Sequence, residues 1–256
     1  MTKPDNTSPS QLDRDLDQLR LPEIAKRYQE ILDDAARKGS SMLEVLAILI
    51  GVERTARDQR ALERRLREAR LPLRKTLAEY NFQFPKRISK TAIVRLFDCD
   101  FIPRHGCAVL IGPTGTGKSH LLSALGYVAC EKGHSVRHVR VVDRINHLTT
   151  AQINGLLGKA LKSYTRPDLL LLDELGYLPI DKRGADLLFQ VIAARYETGS
   201  IVLTTNRPFR EWGTLFDVDN TLATALIDRL MHHGEALVIK GESYRMKDKP
   251  FDPPSE

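Results

Sequence analysis

The stretch Gly112-Pro113-Thr114-Gly115-Thr116-Gly117-Lys118-Ser119 constrains this chain more than any other, because it fits G-x-x-x-x-G-K-[ST] at every fixed position. Such a loop has a meaning only between a buried strand and the start of a helix. Both neighbours are present: Cys107-Ala108-Val109-Leu110-Ile111 is a continuous apolar run ahead of it, and His120-Leu121-Leu122-Ser123-Ala124-Leu125 behind it has helical spacing. The glycines let successive backbone N–H groups turn inward around a phosphate, and the helix adds its positive N-terminal end. In that setting Lys118 reaches the β- and γ-phosphates of ATP and the Ser119 hydroxyl sits on Mg²⁺. His120 completes the expected nucleotide-binding set. A glycine-rich turn with no ligand is the alternative, and the full strand and helix context weighs against it.

The next apolar run, Asp168-Leu169-Leu170-Leu171-Leu172-Asp173-Glu174, ends in two carboxylates. A parallel sheet presents the carboxyl ends of its strands to ligand, so this reads as a Walker B strand. Asp173 is expected in the Mg²⁺ shell, with Glu174 orienting and polarising the attacking water, since phosphoryl transfer depends on positioning and charge neutralisation. Taken alone, an apolar run ending in Asp-Glu is an ordinary strand end. Ser200-Ile201-Val202-Leu203-Thr204-Thr205-Asn206 is a further buried strand, and Asn206 at its end is a candidate for sensing the γ-phosphate or the water. A turn-forming Asn before Arg207-Pro208 is the competing reading.

Around these motifs the chain divides by composition. Residues 1–10 are polar and read as a disordered lead, 11–75 as a helical N-terminal domain, 76–90 as a linker, 91–246 as an α/β domain and 247–256 as a tail. In the helical part Leu16, Leu19, Ile24, Tyr28, Ile31 and Leu32, then Met42, Leu43, Val45, Leu46, Ile48 and Leu49, supply apolar faces, with Pro22 at a helix start and Gly39-Ser40-Ser41 at a break. A last helix over 52–70 carries Arg57, Arg60, Arg64 and Arg67 on one side. That basic stripe is a candidate DNA-backbone contact, with a partner-protein surface as competitor. The linker aromatics Phe82 and Phe84 stack on bases or pack against the next domain.

Beyond residue 91, strands at 107–111, 136–142, 169–173, 201–205 and 236–240 alternate with helices, the signature of a parallel sheet covered on both faces. Asp143 is positioned to cap the helix after the second strand, and 144–164 is long enough to hold an extra helix. Trp212 reads as core packing. A net charge of +6 and a pI near 9.2 favour a polyanionic partner. No apolar run approaches the roughly 20 residues of a membrane span and no signal peptide opens the chain, so no membrane partner and a cytoplasmic location are expected. The three cysteines, Cys99, Cys107 and Cys130, match neither a disulfide framework nor a zinc site. The pairs His134 with His138 and His232 with His233 lack carboxylate or Cys companions at ligand spacing, and read as ordinary surface or strand residues.

Several segments together are more specific than the generic loop. Gly-Pro-Thr-Gly-Thr-Gly-Lys-Ser-His-Leu at 112–121, Leu-Leu-Asp-Glu-Leu-Gly-Tyr-Leu-Pro at 171–179, Arg195-Tyr196-Glu197, Leu203-Thr204-Thr205-Asn206-Arg207-Pro208-Phe209, Glu211-Trp212, Ile227-Asp228-Arg229-Leu230 and Gly241-Glu242-Ser243-Tyr244-Arg245 resemble the AAA+ ATPases of the IstB insertion-sequence helper type, relatives of DnaC-type helicase loaders. The resemblance implies an AAA+ core with strand order 5-1-4-3-2 and a transposition helper that self-assembles on duplex DNA with ATP bound and recruits a partner transposase. It further implies that Arg229 is an arginine finger reaching the ATP of a neighbouring subunit in a homo-oligomer, and that Arg245 is a second sensor on the nucleotide. A helicase loader is the alternative within the same branch. A small-molecule kinase would instead need a substrate pocket and lid.

Overall fold

The computed structural model describes residues 9–216 and 220–247, so the expected lead and tail fall almost wholly outside the described residues. The chain divides into two compact units, Met1–Arg64 and Arg65–Glu256.

In the second unit the apolar runs become β1 (Cys107–Ile111), β2 (Val136–Arg140), β3 (Leu169–Leu175), β4 (Ser200–Thr205) and β5 (Gly234–Val238). They form one sheet in the order β2-β3-β4-β1-β5, every neighbouring pair parallel. This is the order the resemblance implied. Every residue of β4 is buried, which explains why its sequence is a continuous apolar run and not an alternation: a parallel sheet is covered on both faces. The cover comes from α4 (Lys90–Phe97), α5 (Lys118–Glu131), α6 (Val141–Ile153), α7 (Leu157–Thr165), α8 (Lys182–Arg195), α9 (Trp212–Leu215) and α10 (Asn220–Met231). Val109, Leu170, Leu172, Ile201 and Leu203 from the sheet pack with Leu148, Leu188, Trp212 and Leu226 in the main core. Cys99 and Cys130 are buried thiols and Cys107 is partly buried; none is paired.

Strand ends differ from expectation: β3 runs on to Leu175 and β4 opens at Ser200, and the larger changes are in β2 and β5. β2 stops at Arg140, and Val141 and Val142, expected at the end of the strand, open α6 instead. Asp143 does not cap that helix: Arg140 holds the cap position without a side-chain bond, and Asp143 sits inside the first turn, where its charge still suits the helix dipole. β5 begins two residues early because Gly234 pairs with Cys107, at a place where a Cβ would lie 2.0 Å from the Leu230 carbonyl. The extra helical element between residues 144 and 164 is present, as the rest of α6 and most of α7.

The first unit holds α1 (Pro9–Gln18), α2 (Pro22–Lys38) and the start of α3 (Met42–Ala69). Helix α1 already begins inside the expected lead. Pro22 occupies the first turn of α2, where its missing N–H costs nothing, and Gly39 ends that helix in the left-handed region at φ 66°. Ser41 and Glu44 then form a reciprocal capping box: Ser41 N–H donates to Glu44 Oε2 at 2.7 Å, and Glu44 N–H to Ser41 Oγ at 3.3 Å. Helix α3 runs unbroken for 28 residues, so the separate helix expected from residue 52 is the continuation of one that starts at Met42. Gly51 is exposed and tolerated among strong helix formers. Leu16, Ile24, Tyr28, Ile31 and Val45 are buried, whereas Leu19, Leu32, Met42, Leu43, Leu46 and Ile48 of the expected apolar faces stay exposed. A unit this small cannot cover them all.

Glu53 joins two of these helices. No side chain caps α2 locally, and Glu53 Oε2, from α3, accepts the N–H groups of Glu23 at 2.8 Å and Ile24 at 3.3 Å. Its other oxygen pairs with Arg57 at 3.3 Å and Arg60 at 3.1 Å. Burial works to raise the Glu53 pKa, and the two amides and two guanidiniums outweigh it, leaving it below its ordinary value of 4.5. Glu53→Ala should destabilise the first unit by about 1–2 kcal/mol, the usual loss for a helix cap. Because the folded pKa is depressed, the wild-type advantage should be full above pH 4.5 and fade as the pH falls below it. Urea titrations followed by circular dichroism at pH 7 and pH 3.5 read both effects, and equal variant and wild-type midpoints at pH 7 would exclude the cap.

Candidate nucleotide site

The loop leaves β1 through Gly112, whose N–H donates to the Thr205 carbonyl at 3.1 Å. Gly115 and Gly117 lie in the left-handed region at φ 82° and 86°. Neither tolerates a side chain: a Cβ at Gly115 would lie 2.0 Å from Ser243 Oγ, and one at Gly117 2.6 Å from the Tyr80 ring. Thr116 Oγ1 closes the turn on the Pro113 carbonyl at 2.9 Å, while Thr114 is exposed. Helix α5 then starts at Lys118 with no side-chain cap, so its first amides are unspent donors at a positive helix end. Lys118 is buried and folds back on the loop, donating to the carbonyls of Gly112 at 2.6 Å and Pro113 at 2.7 Å. Burial pushes its pKa down to about 8; Asp173 opposes that shift and the Arg245 charge adds to it. An ammonium parked on neutral carbonyls is available to a stronger anionic partner.

Beside the loop, the carboxylate of Asp173 is the meeting point of four elements. It accepts from Ser119 Oγ of α5 at 3.1 Å and from Thr204 Oγ1 of β4 at 2.5 Å, and His138 Nε2 of β2 stands 3.6 Å away. Burial works to raise its pKa, but the His138, Thr204 and Ser119 groups more than offset this, so the carboxyl is held below its ordinary value and stays ionised. Ser119 Oγ beside an ionised Asp173 is an all-oxygen donor pair that suits Mg²⁺. The β3–β4 register shifts between Leu172 and Leu175, and there Glu174 adopts φ 64°. Its N–H is held by Thr204 Oγ1 at 3.0 Å and Asp173 Oδ1 at 3.1 Å, and Arg140 Nε lies 3.5 Å from its partly exposed carboxylate. Asn206, at the end of β4, carries a buried Oδ1 with no partner, and Gly176 comes so close that a Cβ there would lie 2.8 Å from that oxygen. Its place at the carboxyl edge matches expectation.

Some contributors were not singled out from the sequence. Thr204 looked like one more strand residue, yet its hydroxyl ties Asp173 to the Glu174 backbone. Tyr80 lies in the expected linker, and its hydroxyl donates to the Thr116 carbonyl at 3.0 Å, with burial pushing its pKa up to about 12. His120, expected in the nucleotide-binding set, instead faces the linker side of the loop: its Nε2 lies 2.9 Å from the Thr76 carbonyl and its ring meets Tyr80 edge-on. The linker aromatics pack. Phe82 meets Tyr80, and Phe84 meets Tyr244 at 4.8 Å.

A family model for IstB-like ATP-binding proteins matches residues 14–251. The chain belongs to that family. ATP binding comes with membership. An ATP-binding protein of insertion sequence IS21 from Pseudomonas aeruginosa is 39% identical over 234 residues, 91% of this chain and 88% of the relative. One of insertion sequence IS5376 from Geobacillus stearothermophilus is 36% identical over 231 residues, 90% and 92% of the two chains. Among solved structures, the DnaC helicase loader superposes with a TM-score of 0.54 at 23% identity, covering 64% of this chain and 96% of that one. AMPPCP-bound DnaA from Aquifex aeolicus gives 0.56 at 22%, covering 70% and 54%. These two show the fold, an AAA+ core.

Within this IstB-like chain the residues named only by family resemblance fall in different places. Arg245 lies in the short turn Tyr244–Met246, whose Tyr244 N–H donates to the Gly115 carbonyl at 3.0 Å, and its charge acts on Lys118. Arg229, on α10, does not approach the loop. It stacks on Phe189 at 4.6 Å, donates to the Ala225 carbonyl at 3.1 Å, and lines a small pocket with His105, Cys107 and Ile201 at the amino edge of the sheet. The length of β1, roughly 13 Å at 3.3 Å per residue, separates the two edges. In the first unit Arg57 and Arg60 are paired with Glu53, and with exposed Arg64 they line an open cleft beside Arg20. Arg67 is exposed in the second unit.

With its pKa near 8, Lys118 is about half protonated at pH 8, and a triphosphate beside it would draw it to the charged form. ATP binding at pH 8 should therefore take up about half a proton. Calorimetry in two buffers of different ionisation heat measures the uptake, and Lys118→Arg, whose guanidinium stays charged, should lose it. Equal binding heats in both buffers for the wild type would show that Lys118 takes up no proton on binding.

Proposed function

We propose that this protein is an ATP-switched assembly factor for an insertion element: it polymerises on duplex DNA with ATP bound, recruits and activates the element's transposase, and releases the assembly by hydrolysis. The location of Arg229 carries this reading. A cation at the amino edge cannot serve the phosphate loop of its own chain at the carboxyl edge, but it can serve that of a neighbour. ATP then sits at a subunit interface and holds protomers together while the γ-phosphate survives. The names of the IS21 and IS5376 relatives support the link to an insertion element. The net charge of +6 supports a polyanionic partner, and Arg64 with Arg57 and Arg60, together with Arg67, are the backbone contacts we assign. We assign residues 11–75 to a DNA- or partner-facing helical domain, 76–90 to a linker, 91–246 to the ATPase, and the whole to the cytoplasm.

In this account the α5 amides and Lys118 bind the triphosphate, and Arg245 reads it from the docked C-terminal turn. Ser119 and Asp173 would hold Mg²⁺, which neutralises phosphate charge when bound. Thr204 keeps Asp173 and the Glu174 backbone in register. Glu174 orients the attacking water, and Asn206, with its unpartnered oxygen, is placed to hold that water or the γ-phosphate. Arg229 of one protomer completes the site of the next, where it stabilises the charge that builds up as the bond breaks.

Two variants test this. Glu174→Gln should bind ATP and stay assembled on duplex DNA, because the oxygen donors of Ser119 and Asp173 remain; sedimentation showing free protein under ATP would contradict it. Arg229→Ala should lower turnover by about a thousandfold or more while leaving nucleotide affinity of the monomer near wild type. A normal rate would take Arg229 out of the neighbour's site, and a monomeric wild type with ATP and duplex DNA in light scattering would sink the proposal. Preference for single-stranded over duplex DNA in the same assay would favour a helicase loader.

A further inference from the structure

Adjacent His232 and His233 have Asp228 and Glu235 near them in the sequence, but the carboxylate that the fold brings to them is a distant one. Glu197, in the turn after α8, comes alongside the turn between α10 and β5 that carries both histidines. One ligand atom from each of the three lies within 4.8 Å of the other two. His233 Nε2 is 3.8 Å from Glu197 Oε1, and the two imidazole rings are 4.2 Å apart. The histidines are surface residues, as expected, and the carboxylate beside them is 35 residues away in the chain, where spacing could not find it.

The side chains are exposed, but the backbone beneath them is fixed. His233 C=O accepts from Cys107 N–H at 3.1 Å, which anchors it to the start of β1, and His232 N–H donates to the Asp228 carbonyl at 2.9 Å. On the other side Tyr196 N–H donates to Ala193, and the amides of Thr198 and Gly199 donate to the Arg195 carbonyl. The Tyr196 hydroxyl lies 3.0 Å from His232 Nδ1, the kind of contact that sets the orientation of a ligating ring. Zinc takes its donors at roughly 2.0–2.2 Å, so binding would draw the exposed rings and the carboxylate inward over these fixed backbones.

We propose that Glu197, His232 and His233 form a site for a divalent transition ion of the zinc type, with a fourth position open to water. Two imidazoles and one carboxylate select such an ion over Mg²⁺ or Ca²⁺, which take oxygen donors. The site is separate from the phosphate loop and does not depend on the nucleotide reading. It ties the end of α8 to the end of α10, and Glu197, Tyr196 and His233 line the same small pocket as Arg229, one helical turn before His232. A bound ion therefore stiffens the edge that carries Arg229.

The test uses the full chain without an affinity tag, stripped with chelator and titrated with zinc chloride in a calorimeter, with no nucleotide or Mg²⁺. One Zn²⁺ per chain should bind, and Glu197→Gln and His233→Ala should each weaken binding by about tenfold or more, at least the loss seen for disturbed outer-shell partners. His134→Ala should bind as wild type. Circular dichroism checks that the variants fold. Independently of any variant, zinc should protect His232 and His233 of the wild type from diethylpyrocarbonate, mapped by mass spectrometry. Absence of saturable zinc binding, unchanged affinity in both variants, or unprotected histidines would each overturn the assignment.

Discussion

A single buried carboxylate holds the carboxyl edge of the AAA+ core together. Asp173 has little access to water, and a bare charge there would be costly, so its surroundings must supply what solvent does not. They do so from three directions: His138 on β2, Thr204 on β4 and Ser119 on α5. This is possible only with β2, β3 and β4 side by side in that order and α5 following the loop from β1. The sheet order is thus an electrostatic requirement of the site as much as a packing outcome. Thr204 serves two groups at once, because its hydroxyl donates to the carboxylate while accepting the Glu174 N–H where Glu174 leaves the regular ladder.

The opposite edge of the sheet has its own lock. Arg195 is buried, and its two terminal nitrogens donate to four carbonyls, those of Tyr164, Pro167, Asp168 and Ser200, at 2.8–2.9 Å. Burial lowers its pKa to about 10, still well above neutral, so the guanidinium remains a cation in a cage of backbone oxygens. That cage fixes the start of β3 and β4 and the turn that follows α8. It also makes the amino edge a firm base for Tyr196, Glu197 and the neighbouring Arg229.

Between the two edges, the segments flanking the core close over the loop. Tyr80 from before β1 and the Ser243–Tyr244 stretch from after β5 press on the two glycines that cannot carry a Cβ, and Phe84 against Tyr244 joins the flanks to each other. Among the described residues no helical lid follows β5; a short turn at Tyr244–Met246 takes that place and brings the Arg245 charge to bear on Lys118. The nucleotide loop is therefore framed by elements far apart in sequence, and its glycines are as much a consequence of that crowding as of phosphate binding.

The amino-acid sequence by itself determined the elements whose cause is local. An apolar run needs burial on both sides, a glycine-rich turn before a helix start exposes amides, and proline, glycine and the Ser41–Glu44 pair punctuate helices; each of these acts within a few residues, so the strands, the loop, Asp173 and Glu174 were legible. The family segments added the strand order. Tertiary structure alone decided the rest: that Glu53 caps a helix 30 residues away, that Thr204 and Tyr80 serve the loop, that Arg229 sits on the far edge from its own phosphate loop, and that Glu197 joins two histidines. Where β2 gives way to α6 was also decided there, since Val141 suits strand or buried helix equally by its side chain and only packing chooses. Spacing along a chain carries no record of which distant groups will share a dielectric environment, and it is that sharing which turns scattered polar residues into a site.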